Sequence, residues 1–486
     1  MKKEEDELTI SKQPILRASS YIAGQPANLA GELAVSNPYT GEQIAVVSTV
    51  GSAQVEEAIS TALNRGGATL THYERYTILD KTRQLIGERS EDFAQLITME
   101  SGLAIVEARY EIGRALDVLL FASIEALKDE GQIFSCDVSS NGKSRKIFTQ
   151  RTPLNLAVAI TPFNHPLNQV VHKIAPAIAA GTPVILKPSE KTPLTAIKFA
   201  ETLYEAGLPG YMLSVLLGPT SEVAEALVRD PRVSIVSFTG SVAVGKHIAQ
   251  TAGYKKVILE LGGNDPLIIM EDANLEQAAY LAAEGAFRNS GQRCTAVKRI
   301  LVHEQIKEEF TARFVDLAKT YICGDPANPN TKVGTVIDEN SAIYLERVVL
   351  EAVDSGAHVL LGGVRSGALM YPTVIDNVPA DARIVVHESF GPLAPIITFK
   401  DIDGAISLAN STAYGLSSGV VTQRMDYATR FINELDVGTV NINEVPGFRI
   451  ESSPFGGIKD SGLGIKEGVI EAIKCFSFVK TFSLPW

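Results

Sequence analysis

The run Val257-Ile-Leu-Glu-Leu-Gly-Gly-Asn-Asp-Pro-Leu-Ile-Ile-Met270 decides the architecture of this 486-residue chain. Its two ends, Val257 to Leu261 and Pro266 to Met270, are short apolar runs of the kind buried on both faces of a sheet. Between them, Gly262, Gly263, Asn264, Asp265 and Pro266 carry the composition of a break. Upstream, Leu156 to Ile160, Pro183 to Leu186 and Ser234 to Phe238 repeat the strand pattern between helical stretches. Downstream, an alanine-rich helix leads to Arg299 to Val302, and another helix begins near Glu304. Such alternation predicts parallel sheets covered by helices, with sites at the carboxyl ends of strands. A break in its middle predicts two α/β domains, and the length is too great for one ordinary domain. From Ala53 to about Leu127 apolar residues fall at helical spacing, as in Val55, Ala58, Ile59, Ala62 and Leu63. Lys146 to Gln150 and Cys475 to Phe482 read as strands outside either domain.

A hydrophobic content of 45% argues against disorder, and no run approaches the roughly 18 apolar residues of a membrane span. The opening Met1-Lys-Lys-Glu-Glu-Asp-Glu-Leu8 lacks the apolar core of a signal peptide, so the expectation is a cytoplasmic protein. Cysteines 136, 294, 323 and 475 show no Cys-x-x-Cys pairing, which disfavours a disulfide scaffold and a zinc site. The net charge of -12, with no dense basic stripe, argues against nucleic acid as partner.

Chemistry enters through Glu260, inside the opening run, and Cys294, in Gly291-Gln-Arg-Cys-Thr295. A thiolate attacks carbonyl carbon, and a carboxylate beside the resulting covalent intermediate activates the water that releases it. A lone cysteine is more often an inert core residue, but Arg293 beside it can favour the thiolate and Gly291 permits a tight backbone path. Glu260 in an apolar strand is costly to bury unless it faces a cavity or a partner. Three other strand ends deliver polar residues to the same sheet edge: Thr161-Pro-Phe-Asn-His-Pro166, Leu186-Lys-Pro-Ser-Glu190 and Phe238-Thr-Gly-Ser241.

These runs, with Glu388-Ser-Phe-Gly-Pro392, Pro454-Phe-Gly-Gly-Ile-Lys-Asp-Ser-Gly462 and Asn37-Pro-Tyr-Thr-Gly-Glu42, resemble the motif set of the aldehyde dehydrogenase superfamily over nearly the whole chain. The resemblance implies that family's fold. Residues 1–132 and 154–262 would form a discontinuous Rossmann-like NAD-binding domain, 263–460 a catalytic domain, and 133–153 with 461–486 a β-strand oligomerisation arm joining a homodimer or homotetramer. It implies Cys294 as nucleophile, Glu260 as general base and the Asn164 amide, with the Cys294 backbone amide, as oxyanion donors. Superfamily members that pass the acyl group to coenzyme A generally lack a carboxylate at Glu260, so hydrolysis is implied. The cofactor residues implied are Thr161, Pro162, Phe163, Lys187, Ser189, Glu190, Gly240, Ser241, Leu261, Gly262, Glu388 and Phe390. Lys187 and Glu190 would hold the adenosine ribose, where the carboxylate repels a 2'-phosphate and favours NAD over NADP. Gly240 to Gly245 lacks Gly-x-Gly-x-x-Gly, and Val242 stands where the family commonly has threonine.

Arg114, His165, Arg293, Thr295 and Arg449 are the expected substrate contacts. Arg114 shares a helix face with Tyr110, Val118 and Phe121 and not with other charges, and an arginine among apolar groups usually meets an anion. A guanidinium fork fits phosphonate, phosphate or carboxylate oxygens. Asn164 to Lys173 and Gly291 to Arg299 resemble the phosphonoacetaldehyde dehydrogenase branch, which implies oxidation of phosphonoacetaldehyde to phosphonoacetate. Glyceraldehyde 3-phosphate, succinate semialdehyde, sulfoacetaldehyde and lactaldehyde stay open as substrates. A cofactor-independent cysteine hydrolase is the rival reading, disfavoured because no histidine lies close in sequence to Cys294 or Glu260.

Overall fold

The computed structural model describes residues 15–64, 67–129, 131–465 and 467–486, so the charged Met1–Leu8 run lies outside the described residues. Four helices, α1 (Ser52–Leu63), α2 (His72–Glu88), α3 (Ser90–Ser101) and α4 (Ile105–Ala126), form the amino-terminal helical segment. They follow a three-stranded sheet of Leu16–Ala18, Gln43–Thr49 and Gly31–Ser36.

The first large sheet sets the strands Lys256–Glu260, Ile235–Thr239, Ala157–Ile160, Val184–Lys187 and Leu213–Val215 side by side, all parallel. The chain starts this array at Ala157–Ile160, builds outward to Leu213–Val215, then crosses back to Ile235–Thr239 on the other side. The switch point therefore lies between the ends of Ala157–Ile160 and Ile235–Thr239, where an open α/β sheet leaves a crevice for ligand. Helices α5 (Asn168–Ala180), α6 (Pro193–Glu205), α7 (Ala224–Arg229) and α8 (Val242–Thr251) connect its strands. Only Gln169 of α5 is not buried, so α5 is the central helix of the core that α2 and α4 share with this sheet.

After Glu260 the chain leaves this sheet, and Pro266–Ile269 opens a second one, as the glycine-rich break predicts. There Thr373–Asp376, Leu393–Phe399, Arg299–His303, Pro266–Ile269, Ser417–Val421 and Thr439–Ile442 run parallel, with His358–Leu361 antiparallel at one edge. The carboxyl edge of the first sheet is thereby joined to the starts of strands in the second.

A third, antiparallel sheet pairs Ser477–Pro485 with Arg145–Pro153 over nine residues, with Ile133–Ser135 on the outer edge. The strand expected from Cys475 begins at Ser477, because Cys475 closes the short helix Val469–Cys475. Among the described residues no helix is long and apolar enough to cross a membrane.

Candidate active site

Beyond helix α9 (Leu275–Phe287) and Arg288 come three consecutive left-handed residues, Asn289, Ser290 and Gly291, at φ 52°, 51° and 69°. A side chain at Gly291 would place its Cβ 2.1 Å from the Gly391 carbonyl oxygen, so the tight path expected there is required. The turn is tied down on three sides. Asn289 Nδ2 donates to the Asn164 carbonyl at 2.9 Å, Ser290 Oγ to the Gly334 carbonyl at 3.0 Å, and Ile337 N to Gln292 Oε1 at 2.9 Å. Asn164 Nδ2 donates to the Gln292 carbonyl at 2.7 Å, which leaves one amide hydrogen for another acceptor. The Cys294 backbone N–H makes no hydrogen bond among the described residues.

This loop partitions two cavities. Arg114, His165, Arg293, Cys294, Thr295 and Arg449 all line the first, of about 300 Å³. Phe163, Gln292, Glu388 and Phe390 line the second, of about 450 Å³. The sequence-predicted substrate residues therefore share one chamber and part of the cofactor set shares the next. Asn164 and Glu260 line neither; both are buried, Glu260 as the last residue of Lys256–Glu260, bridged to Gly462.

In the first cavity the arginines are not equivalent. Arg114 contradicts the expectation that it stands apart from other charges: it pairs with Glu451, 337 residues away, where no helical periodicity could reveal it. His172 Nε2 meets the second oxygen of Glu451 at 2.6 Å. Burial pushes that carboxyl up, but the His172 hydrogen bond and the charges of His172, Arg114 and Arg449 outweigh it and hold Glu451 well below the usual carboxylate range. Arg288, missed in the sequence, forks onto Glu107 with two 2.9 Å bonds and covers the Tyr110 ring at 4.3 Å. Arg293 donates through Nη2 to the Glu284 and Gly285 carbonyls of α9 at 3.0 and 2.7 Å, and its buried Nε has no acceptor among the described residues. Arg449 lies over the Phe455 ring at 3.7 Å and makes no hydrogen bond or ion pair among the described residues.

His165 is held well below its ordinary value by burial and then by Arg114, Arg293, Arg449 and Arg288, so its ring is neutral. Asn289 Nδ2 lies 3.3 Å from its Nε2. Since that amide nitrogen already donates to a carbonyl, Nε2 is the acceptor and Nδ1 carries the proton. The cavity thus presents a neutral imidazole among cations.

Burial pushes the Cys294 thiol up to about 11, and the strongest opposing influence is Lys298, then Arg449. The cation that most favours the thiolate is thus not its sequence neighbour Arg293. Lys298, missed in the sequence, is buried and meets Oε1 of the half-buried Glu388 at 2.7 Å. Arg449 is also within the electrostatic reach of Glu260, which places the carboxylate and the thiol on one cation's horizon.

The remaining residues expected to hold a cofactor gather at the switch point. Thr161, Pro162 and Phe163 leave one strand end, and Gly240 and Ser241 leave its neighbour. Ser241 caps α8 by accepting from Val244 N, and Gly240 N donates to the Glu260 carbonyl at 3.1 Å. Lys187 Nζ contacts Glu190 Oε1 at 3.0 Å, and Ser189 Oγ accepts from Lys191 N at 3.2 Å. Phe163 and Phe390 meet edge to face with centroids 5.9 Å apart. A Cβ on Gly245 would fall 2.3 Å from Leu261 Cδ2, and one on Gly262 would fall 2.0 Å from Glu388 Oε2. The buried hydroxyls of Thr161 and Thr239 have no partner among the described residues, at the two strand ends that flank the crevice. Unsatisfied hydroxyls, bare glycine backbone and an aromatic wall fit a dinucleotide.

Residues 26–482 match the profile described as the aldehyde dehydrogenase family. The chain is 38% identical to the 3-sulfolactaldehyde dehydrogenase of Priestia aryabhattai over 454 residues, covering 93% of this chain and 95% of that one. It is 38% identical to the sulfoacetaldehyde dehydrogenase of Neptuniibacter caesariensis over 409 residues, covering 84% and 89%. Its fold matches the NADP-dependent glyceraldehyde-3-phosphate dehydrogenase of Bacillus halodurans C-125, solved with NADP, at a TM-score of 0.94 and 32% identity, covering 96% and 99%.

Proposed function

Since the chain belongs to the aldehyde dehydrogenase family, we propose that it oxidises a small anionic aldehyde to the corresponding acid, with Cys294 as nucleophile and water as final acyl acceptor. The observation that carries the anion is that Arg449 and Arg293 line the cavity without an acidic partner among the described residues, where Arg449 also makes no hydrogen bond. Arg293 adds an unsatisfied Nε, and neutral His165 adds an Nδ1–H donor without repelling either cation.

The Cys294 thiolate adds to the aldehyde carbon, forming a C–S bond while the carbonyl π pair moves to oxygen. The Cys294 N–H and the second Asn164 amide hydrogen receive that oxyanion. Phe163, Glu388 and Phe390 would hold a nicotinamide, and Lys187 and Glu190 its adenosine ribose; that ring would supply the acceptor for the hydride whose departure from the tetrahedral carbon re-forms the C=O bond as a thioester. Glu260 takes a proton from water as the hydroxyl oxygen adds to the thioester carbon; the C–S bond breaks, releasing the acid and the thiolate. Glu190 at the ribose favours NAD over NADP.

Phosphonoacetaldehyde, the substrate expected from the sequence, and sulfoacetaldehyde differ in the charge of their tetrahedral head. A sulfonate is the second reading, supported by the two relatives named as dehydrogenases of sulfo-substituted aldehydes. Reduced-cofactor absorbance with phosphonoacetaldehyde, sulfoacetaldehyde, glyceraldehyde 3-phosphate, succinate semialdehyde and a neutral control separates them, with NAD and NADP in parallel. An anion should be preferred, and Cys294→Ala should abolish turnover. Preference for the neutral aldehyde removes the anion reading, and turnover surviving in Cys294→Ala removes the nucleophile.

A further inference from the structure

Lys298 is four residues beyond Cys294, 1% exposed, and lies inside the Gly291 to Arg299 run, whose reading from sequence assigns it no role of its own. Its ammonium is ringed by four oxygens: the carbonyls of Arg293 at 2.7 Å, Cys294 at 2.9 Å and Gly263 at 2.9 Å, and Glu388 Oε1 at 2.7 Å. Burying an ammonium is costly without such a set of acceptors. The four come from three places in the chain: the nucleophile loop, the break between the two large sheets, and the loop of Glu388. Gly263 makes the approach possible, since a Cβ there would lie 2.4 Å from the Cys294 carbonyl oxygen. Glu388 Oε1 is fixed by Lys298, with Gly263 N at 3.3 Å, while Oε2 turns over Gly262. One oxygen of the carboxylate assigned above to the cofactor is therefore anchored and the other is presented.

We propose that Lys298 is the positioning residue of this site, one ammonium that locks the backbone carrying the nucleophile to the carboxylate that faces the cofactor. The assignment rests on Cys294 being the nucleophile. Lys298 does not line the substrate cavity; it acts through the Arg293 and Cys294 carbonyls, which flank the Cα of the nucleophile, and through Glu388. The charged groups acting on Cys294 are Lys298, Arg449 and Arg293 on one side and Asp265 and Glu388 on the other, with Arg293 hydrogen-bonded to the α9 carbonyls and Glu260 within reach of Arg449. Lys298 and Glu388 thus pull the thiol in opposite directions although they are hydrogen-bonded to each other. Were the pair only a structural tie, loss of either partner would loosen the same loop and move the thiol's reactivity in one direction; because both charges also bear on the thiol directly, the two losses should move it oppositely.

Alkylation of Cys294 by iodoacetamide tests this on the full chain without cofactor, followed by peptide mass between pH 6.5 and 10.5 in wild type, Lys298→Met and Glu388→Gln, with circular dichroism as the fold control. The expected result is opposite movement at fixed pH: at least tenfold slower alkylation in Lys298→Met and at least threefold faster in Glu388→Gln. Rates that move together, or that stay within twofold of wild type, overturn the proposal. If Lys298→Met does not keep its fold, Glu388→Gln decides alone: faster alkylation upholds the link, and an unchanged or slower rate refutes it. Failure of the nucleophile assignment is seen separately, as turnover surviving in Cys294→Ala.

Discussion

Arg449 and Arg114 line one cavity yet should give opposite phenotypes. Arg449→Gln removes a guanidinium that has no acidic partner among the described residues, and a charge-assisted contact of roughly 1.5–3 kcal/mol corresponds to a loss of about 10- to 150-fold. We expect kcat/KM to fall by that order for the preferred anionic aldehyde and to change less than about threefold for a neutral one. Arg114→Gln instead leaves Glu451 with His172 as its hydrogen-bond partner, so its main effect should be a lower unfolding midpoint, with similar losses for both aldehydes. Parallel loss in Arg449→Gln would make it a structural residue. Cys294, Glu260 and the strand-end runs were legible because each motif is contiguous. Lys298, Arg288 and Glu451 were not, because their meaning lies in pairs 90, 181 and 337 residues apart.

At the scale of elements, two helices begin on buried carboxylates. Glu111 Oε1 accepts from Leu167 N and Asn168 N at 2.8 Å at the start of α5, and Glu100 accepts from Leu194 N, Thr195 N and the Thr195 hydroxyl at the start of α6. Backbone N–H groups at a helix start favour the anion, yet burial wins and raises both carboxyls to about 7. A folded-state value above the unfolded one makes the stabilising contribution complete below about pH 4.5 and lost as pH rises through about 7. Glu111→Gln, which imitates the neutral form, should therefore gain on wild type across that interval, by up to roughly 3 kcal/mol. Urea midpoints at pH 5 and pH 8.5 check it; an equal difference at both pH values contradicts it. The alternation of strand and helix was readable because buried parallel strands are continuous apolar runs. These two caps were not, because Glu111 on α4 serves the next helix and Glu100 on α3 serves the third one on, 56 and 94 residues away.

Over the whole molecule, the antiparallel sheet of Ile133–Ser135, Arg145–Pro153 and Ser477–Pro485 carries exposed apolar side chains, among them Ile133, Phe134, Phe478, Val479 and Phe482. Exposed apolar strands are a surface for self-association, and the resemblance to the family's arm supports a second copy of this chain as the occupant. Val479→Glu combined with Phe482→Glu should lower the mass seen by light scattering from an oligomer to a monomer; a monomeric wild type would refute the assignment. The two strands were anticipated from sequence, but their mutual pairing, between residues more than 320 positions apart, was not.

The carboxyl-terminal segment that supplies this sheet has first passed through the site. Glu451 holds Arg114, Ser461 O accepts from Leu261 N, Gly462 bridges Glu260, Glu467 pairs with buried Lys173, and only then does the chain form Val469–Cys475 and Ser477–Pro485. Amide hydrogens of Leu261, Phe455 and the strand Ser477–Pro485 should then exchange with solvent as one cooperative unit, sharing an opening free energy despite their separation in sequence. Whatever protects that strand from exchange, assembly included, would slow exchange at Leu261 by the same factor, so deuterium uptake beside Glu260 becomes a remote gauge of the terminal sheet.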